Sequence, residues 1–174
     1  MRYTMKSGML MRQESDAVLA RIRNALTGSV RIIRSSGDQR LMEAQICTPE
    51  SACASDVRNK EYRLLDCSGC VAACAFPGYA QGEEPETAGW PIHRMPRVDH
   101  AKVIIDGAAY RLTMRSSRRY TLEDSAGKEI VRIVHNGLAG GWTMEDDHGF
   151  RPEILCGLFV FCRYIELENE FMTI

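Results

Sequence analysis

After residue 28, apolar side chains recur at every second position in short runs, the period of a strand with one buried face. Three segments repeat one layout: Val30-Arg31-Ile32-Ile33-Arg34-Ser35-Ser36-Gly37, Tyr62-Arg63-Leu64-Leu65-Asp66-Cys67-Ser68-Gly69 and Tyr120-Thr121-Leu122-Glu123-Asp124-Ser125-Ala126-Gly127. Each carries apolar residues at its first and third positions and then a small polar turn closed by glycine. Glycine suits the left-handed position that ends such a hairpin turn. Each copy leads into another strand-like run, Leu41 to Ile46, Val71 to Phe76 and Ile130 to Val134. Asp106-Gly107 between Val103-Ile104-Ile105 and Ala108 to Leu112 predicts a two-residue hairpin. Asn136-Gly137 or Gly140-Gly141 turns the chain again before Trp142-Thr143-Met144.

Two segments break this pattern. Val18, Leu19, Ile22, Ala25 and Leu26 fall at helical spacing, with Ser15 able to cap and Gly28 able to terminate, so an amphipathic helix is predicted over 16–26. Ile154-Leu155-Cys156-Gly157-Leu158-Phe159-Val160-Phe161-Cys162 is continuously apolar. Pro152 suits a first turn and Glu153 the positive end of a helix dipole, so a helix near 152–166, buried on all sides, is predicted. That apolar run is too short to span a bilayer, which needs roughly twenty apolar residues. Residues 1–10 read as a short strand with Tyr3 and Met5 alternating, and 48–60 and 77–91 read as loops, the second rich in glycine, proline and glutamate.

About ten to twelve short strands with a wholly apolar final helix make a demanding combination, because so many strands must curl or close to remove their edges. A helix without a polar face needs apolar surroundings on every side. A closed antiparallel barrel of about twelve strands, threaded by the last helix, meets both demands. The predicted fold is therefore mainly β (α+β). The 174 residues suit one domain spanning 1–174.

Composition narrows the functional classes. Apolar residues are 45% and charged residues 26%, the balance of an ordinary globule, and the net charge is -1. No strong general attraction to nucleic acid or to anionic lipid is expected from net charge. The first twenty residues hold no apolar run that could serve as a signal-peptide core, and seven cysteines cannot all pair internally. Reduced thiols in a cytoplasm are expected.

Candidate chemistry is sparse. Gly-x-Ser-x-Gly, a phosphate-binding glycine-rich loop and a dinucleotide fingerprint are absent, as is a helical His-Glu-x-x-His, and no catalytic residue is identified. No cofactor is implied. Charge is uneven: residues 91–135 carry nine basic and five acidic side chains, net +4, and residues 136–174 carry two basic and seven acidic, net -5. Arg111, Arg115, Arg118 and Arg119 gather around one strand and turn, and guanidinium forks suit phosphate oxygens. They are the candidate anion or headgroup contacts. The competing reading makes them solvent faces of strands, paired with Glu123 and Glu129. Cys67, Cys70 and Cys74, with Cys47 or Cys53 upstream, form the alternative cluster for a small zinc or thiol-redox protein; the competing reading is structural thiols. Glu145-Asp146-Asp147 beside His148 offers oxygen ligands for a divalent cation but reads better as a solvated turn, and His135 reads as an exposed strand end.

The order of elements, with its Tyr-x-Leu-x-Asp-x-x-Gly hairpins, Gly141-Trp142 strand, acidic turn and terminal apolar helix, resembles the tubby C-terminal-like superfamily. Within it, bacterial relatives of the plant LURP-one-related proteins and of the phospholipid scramblases are most similar, and residues 101–170 carry the resemblance best. The resemblance implies a roughly twelve-stranded barrel around a central hydrophobic C-terminal helix. It also implies a non-enzymatic binding module that recognises phosphoinositide or other phospholipid headgroups, or a protein partner, at the periphery of a membrane. No family binding motif matches residue by residue, so the resemblance adds no site residue.

Overall fold

A computed structural model describes residues 1–25, 29–49, 56–83, 97–137 and 140–170. Its strands are β1 (Arg2–Lys6), β2 (Met9–Arg12), β3 (Val18–Asn24), β4 (Arg31–Ser35), β5 (Arg40–Cys47), β6 (Glu61–Asp66), β7 (Val71–Tyr79), β8 (Val98–Ile105), β9 (Ala108–Ser116), β10 (Arg119–Glu123), β11 (Glu129–His135) and β12 (Trp142–Asp146). Each pairs antiparallel with its neighbours in sequence, and β1 pairs with β12, which closes a twelve-stranded barrel. Closure leaves no edge strand exposed. The helix α1 (Pro152–Glu170) follows β12. It enters at the end where the even-numbered strands finish and packs against β3 to β9. Leu155, Phe161 and Ile165 on it are fully buried, and burial of each such side chain contributes roughly 1.5–3 kcal/mol.

Strand alternation sets the interior. Tyr62 and Leu64 on β6, Tyr120 and Leu122 on β10, and Tyr3 and Met5 on β1 point inward and are buried. Their rings meet the helix: Tyr62 lies 5.2 Å from Tyr164 and 6.1 Å from Phe161, and Trp142 lies 5.5 Å from Phe159, centroid to centroid. The helix approaches β6 most closely at Gly157, where a Cβ would stand 2.5 Å from a Leu64 methyl.

The repeated turns have a common construction. Asp66 Oδ1 accepts from the backbone N–H groups of Ser68 and Cys70, and Asp124 Oδ1 from those of Ala126 and Lys128. Gly69 and Gly127 then take φ of +84° and +77°. The first copy has the same shape shifted by one residue. Ile33, not Ile32, is the buried inward residue of β4, Ser35 Oγ accepts from Gln39 N–H, and Asp38, not Gly37, takes φ +67°. A fourth copy, unrecognised in the sequence, closes β12: Trp142 and Met144 correspond to Tyr62 and Leu64, Asp146 Oδ1 accepts from His148 and Gly149 N–H, and Gly149 has φ +86°.

Several expectations are corrected. No helix occupies the described residues of 16–26: Val18–Asn24 is strand β3, paired with β2 and β4. Val18, Ala20 and Ile22 also alternate with Leu19, Arg21 and Arg23, so the segment fits both periods, and two flanking strands decide between them. Leu26, Thr27 and Gly28 lie outside the described residues. Residues 1–10 form two strands rather than one, turning at Ser7 and Gly8 with φ of +50° and +74°. The predicted loop 77–91 starts later, because β7 runs through Pro77 and Gly78 to Tyr79; residues 84–91 lie outside the described residues. Among the described residues of 48–60, a 3-10 turn, Val57–Asn59, precedes β6, with Asp56 Oδ1 accepting from Arg58 N–H. The Asp106-Gly107 hairpin forms as predicted, with φ of +49° and +81°.

Candidate functional site

Outward side chains at matching registers form rows around the barrel. One row runs Cys47, Glu61, Phe76, Lys102, Arg111 and Glu123 across β5 to β10. Arg111 thus stands midway up the wall, with Lys102 on one side and Glu123 on the other. Arg115, two pleat repeats further along β9, reaches back along the face. It pairs with Glu123 and donates from Nε to Thr121 Oγ1 at 3.3 Å. Arg118 and Arg119 are exposed at the β9–β10 turn, at the end of the barrel where α1 finishes. The four arginines therefore form an extended stripe rather than one pocket. The expected pairing with Glu123 occurs at Arg115, whereas Glu129 pairs with Arg132 at 2.5 Å.

The neighbouring residues change the chemistry of this stripe. Phe76 is 41% exposed, although it is a large apolar side chain in the middle of a strand. Lys102 beside it and Arg111 on the next strand are exposed and enter no ion pair among the described residues. The two acids in the row are already engaged, Glu61 with Arg63 at 2.8 Å and Glu123 with Arg115. Next to Phe76, a cavity of about 580 Å³ is lined by Cys47, Arg58, Lys60, Glu61 and Arg63 among others. Arg58 is paired with Asp56 at 2.7 Å and Lys60 with Glu168 at 2.6 Å. The guanidinium of Arg58 holds the Asp56 carboxyl below the ordinary aspartate range. Sequence reasoning missed Phe76 and Lys102. The available signal was an aromatic at an outward position of a strand, two residues after Cys74 in the same register.

The cysteine cluster is spread out. Cys67 and Cys70 are exposed in the β6–β7 turn, whose Asp66 carboxylate serves the turn itself. Cys74 is half-buried on the outer face of β7, and burial raises its thiol pKa. Cys47 lies at the far end of β5, and Cys53 is outside the described residues. Among the described residues no group of three His, Cys, Asp or Glu side chains is placed to hold a metal ion. The turn that follows β12 is likewise occupied: Glu145 bridges Arg2 at 2.8 Å and Arg132 at 3.6 Å, and Asp146 is the turn aspartate. His148 stacks against Phe150, with centroids 4.3 Å apart. His135 does end β11, but it is half-buried rather than exposed, because its ring packs 4.8 Å from Trp142, its register partner on β12.

His100 occupies a different row, Gly78, His100, Thr113, Thr121, Arg132, Glu145 and Arg2. A bulge at Gly78/Tyr79 places Asp99 beside it, and His100 Nδ1 lies 2.7 Å from Asp99 Oδ1. His93 lies outside the described residues.

No helix among the described residues is long and apolar enough to cross a membrane. Comparison of the chain with protein-family models, with characterised proteins and with solved structures found no match.

Proposed function

We propose that this chain is a non-enzymatic binding module that docks peripherally on anionic phospholipid from the cytoplasmic side, as expected of a tubby-like, LURP-one-related barrel. The observation that carries the reading is the row Phe76, Lys102 and Arg111: one exposed apolar side chain followed on the next two strands by two exposed cations with no ion pair among the described residues. An aromatic that enters the headgroup boundary, with cations against lipid phosphates, is the chemistry of surface-bound proteins. Each cation near an anionic surface contributes about 1 kcal/mol. Arg118 and Arg119 extend the positive stripe toward the barrel end. Arg115 is the weakest member of the original group, because Glu123 neutralises it. The closed barrel with an internal helix supports the family reading.

The test is co-sedimentation with vesicles containing phosphatidylserine and with neutral vesicles. The wild-type protein is expected to be retained on the first only. Lys102→Glu with Arg111→Glu should remove retention at an unchanged melting temperature. Retention that survives this exchange, or equal retention on neutral vesicles, rejects the assignment.

A further inference from the structure

At the end of the barrel where α1 finishes, a second opening has a different composition. Its cavity is about 370 Å³ and is lined by Ile22, Arg23, Asn24, Arg31, Phe159, Val160 and Arg163, with the Ser7-Gly8 turn at the rim. Arg31 is unusual in its position. In the repeated layout it stands where Tyr62, Tyr120 and Trp142 stand in the other copies, four residues before the turn residue, and its register partner Ala44 is a fully buried inward residue. A guanidinium thus points toward the barrel mouth where the other copies place an aromatic ring. Arg23 is exposed at the rim on β3, and Arg163 lines the same opening from the helix. Three positive charges share this opening. Arg163 is paired with Glu166, and Arg31 donates to the Val30 carbonyl at 3.1 Å.

The floor is apolar: Val160 is 3% exposed and Phe159 is half-buried, its ring 5.5 Å from that of Trp142. The rim is held in place. Ile22 N–H donates to the Gly8 carbonyl at 2.6 Å, and the Tyr164 hydroxyl lies 2.5 Å from the Ser29 carbonyl and 3.0 Å from that of Ala44. Ligand pockets of roughly 300–1,000 Å³ combine an apolar lining with a few oriented polar groups, and this one is at the lower end.

We propose that this mouth is a binding site, separate from the outer face, for a single-chain anionic amphiphile. Its carboxylate or phosphate head lies among Arg23, Arg31 and Arg163, and its alkyl chain lies on Phe159, Val160 and Ile22. Charge complementarity selects the head, since guanidinium forks pair with carboxylate and phosphate oxygens. The apolar floor selects a chain over a free inorganic anion.

The test titrates the full chain carrying Trp90→Phe, so that Trp142 alone reports, with monomeric dodecanoate, dodecanol and inorganic phosphate. Dodecanoate is expected to bind with one-to-one stoichiometry and to change Trp142 emission, with dodecanol and inorganic phosphate each at least tenfold weaker. Arg31→Gln should weaken dodecanoate at least tenfold. Because Arg31 stands at an inward register position opposite buried Ala44, Arg23→Gln on an exposed side chain is the second variant and should weaken it severalfold. The Lys102→Glu, Arg111→Glu protein should bind dodecanoate as the wild type does, which separates this site from the outer face. Equal binding of dodecanol or of phosphate, or dodecanoate affinity unchanged in Arg23→Gln, overturns the proposal.

Discussion

Asp38 N–H donates to the Ser35 carbonyl at 3.0 Å, and Asp38 adopts φ +67° at the position where the equivalent turns carry Gly69 and Gly127. An aspartate tolerates the left-handed region better than most residues, but at a cost that glycine avoids. Asp38→Gly should therefore stabilise the protein by about 0.5 kcal/mol, since its exposed contact with Arg34 contributes little. Gly69→Ala should destabilise by about 1 kcal/mol for the same reason. Urea unfolding of the two variants checks both signs.

The three fully buried tyrosines, Tyr62, Tyr120 and Tyr164, are not equivalent. Tyr62 and Tyr120 have hydroxyls with no hydrogen-bond partner among the described residues, whereas the Tyr164 hydroxyl has two carbonyls within reach. An unpaired buried hydroxyl costs about 1–3 kcal/mol. Tyr120→Phe is thus expected to be neutral or stabilising by about 1 kcal/mol, and Tyr164→Phe destabilising by about 1–2 kcal/mol. Equal losses at both positions in denaturant unfolding would contradict this account of the interior.

Gly78 is required by its neighbour. A Cβ there would stand 2.6 Å from His100 Nε2, so the imidazole lies directly over the glycine. Gly78→Ala should cost about 1–3 kcal/mol through overpacking. His100→Ala in the same chain should recover most of that loss, and the coupling in a double-mutant cycle is the readout.

Acid sensitivity follows from the turn aspartates. Asp66 has its pKa lowered, chiefly by the Ser68 hydroxyl and then by the Cys70 N–H that it accepts from. A carboxyl with a depressed folded pKa contributes stability above its unfolded value, near about 4, and that contribution is lost as pH falls through the folded value. Asp66→Asn keeps an acceptor for the turn but removes the titration. Its melting temperature should fall less steeply than that of the wild type below about pH 4.

These relationships show where the sequence was readable. The Tyr-x-Leu hairpins, the Asp106-Gly107 turn and the apolar helix from Pro152 each carry a local signal strong enough to stand alone, and together they imply closure. Strand β3 does not. Val18 to Asn24 satisfies helical and strand periods alike, and only its neighbours β2 and β4 choose. The fourth repeat was legible as Trp142-x-Met144-x-Asp146-x-x-Gly149, but its extra acids made it read as a solvated acidic turn with no link to the other three copies. The outer-face site was half legible. Arginines are visible in a sequence, but the pairing of Arg115 with Glu123 and the meeting of Phe76, Lys102 and Arg111 depend on the register between neighbouring strands, and that of β7 against β8 is set across the long connection between them. Arg31 was hidden by a one-residue shift, which assigned it to the outside of the barrel.

The central claim is that Phe76 enters the lipid surface, and a tryptophan at that position tests it most directly. Phe76→Trp, in a chain with Trp90→Phe, should shift its emission to shorter wavelength on phosphatidylserine vesicles and be quenched by brominated acyl chains, over the constant background of Trp142. Neutral vesicles should produce neither change. Protein that sediments with anionic vesicles while the tryptophan at position 76 remains water-exposed and unquenched would contradict the account and remove Phe76, Lys102 and Arg111 as the docking face.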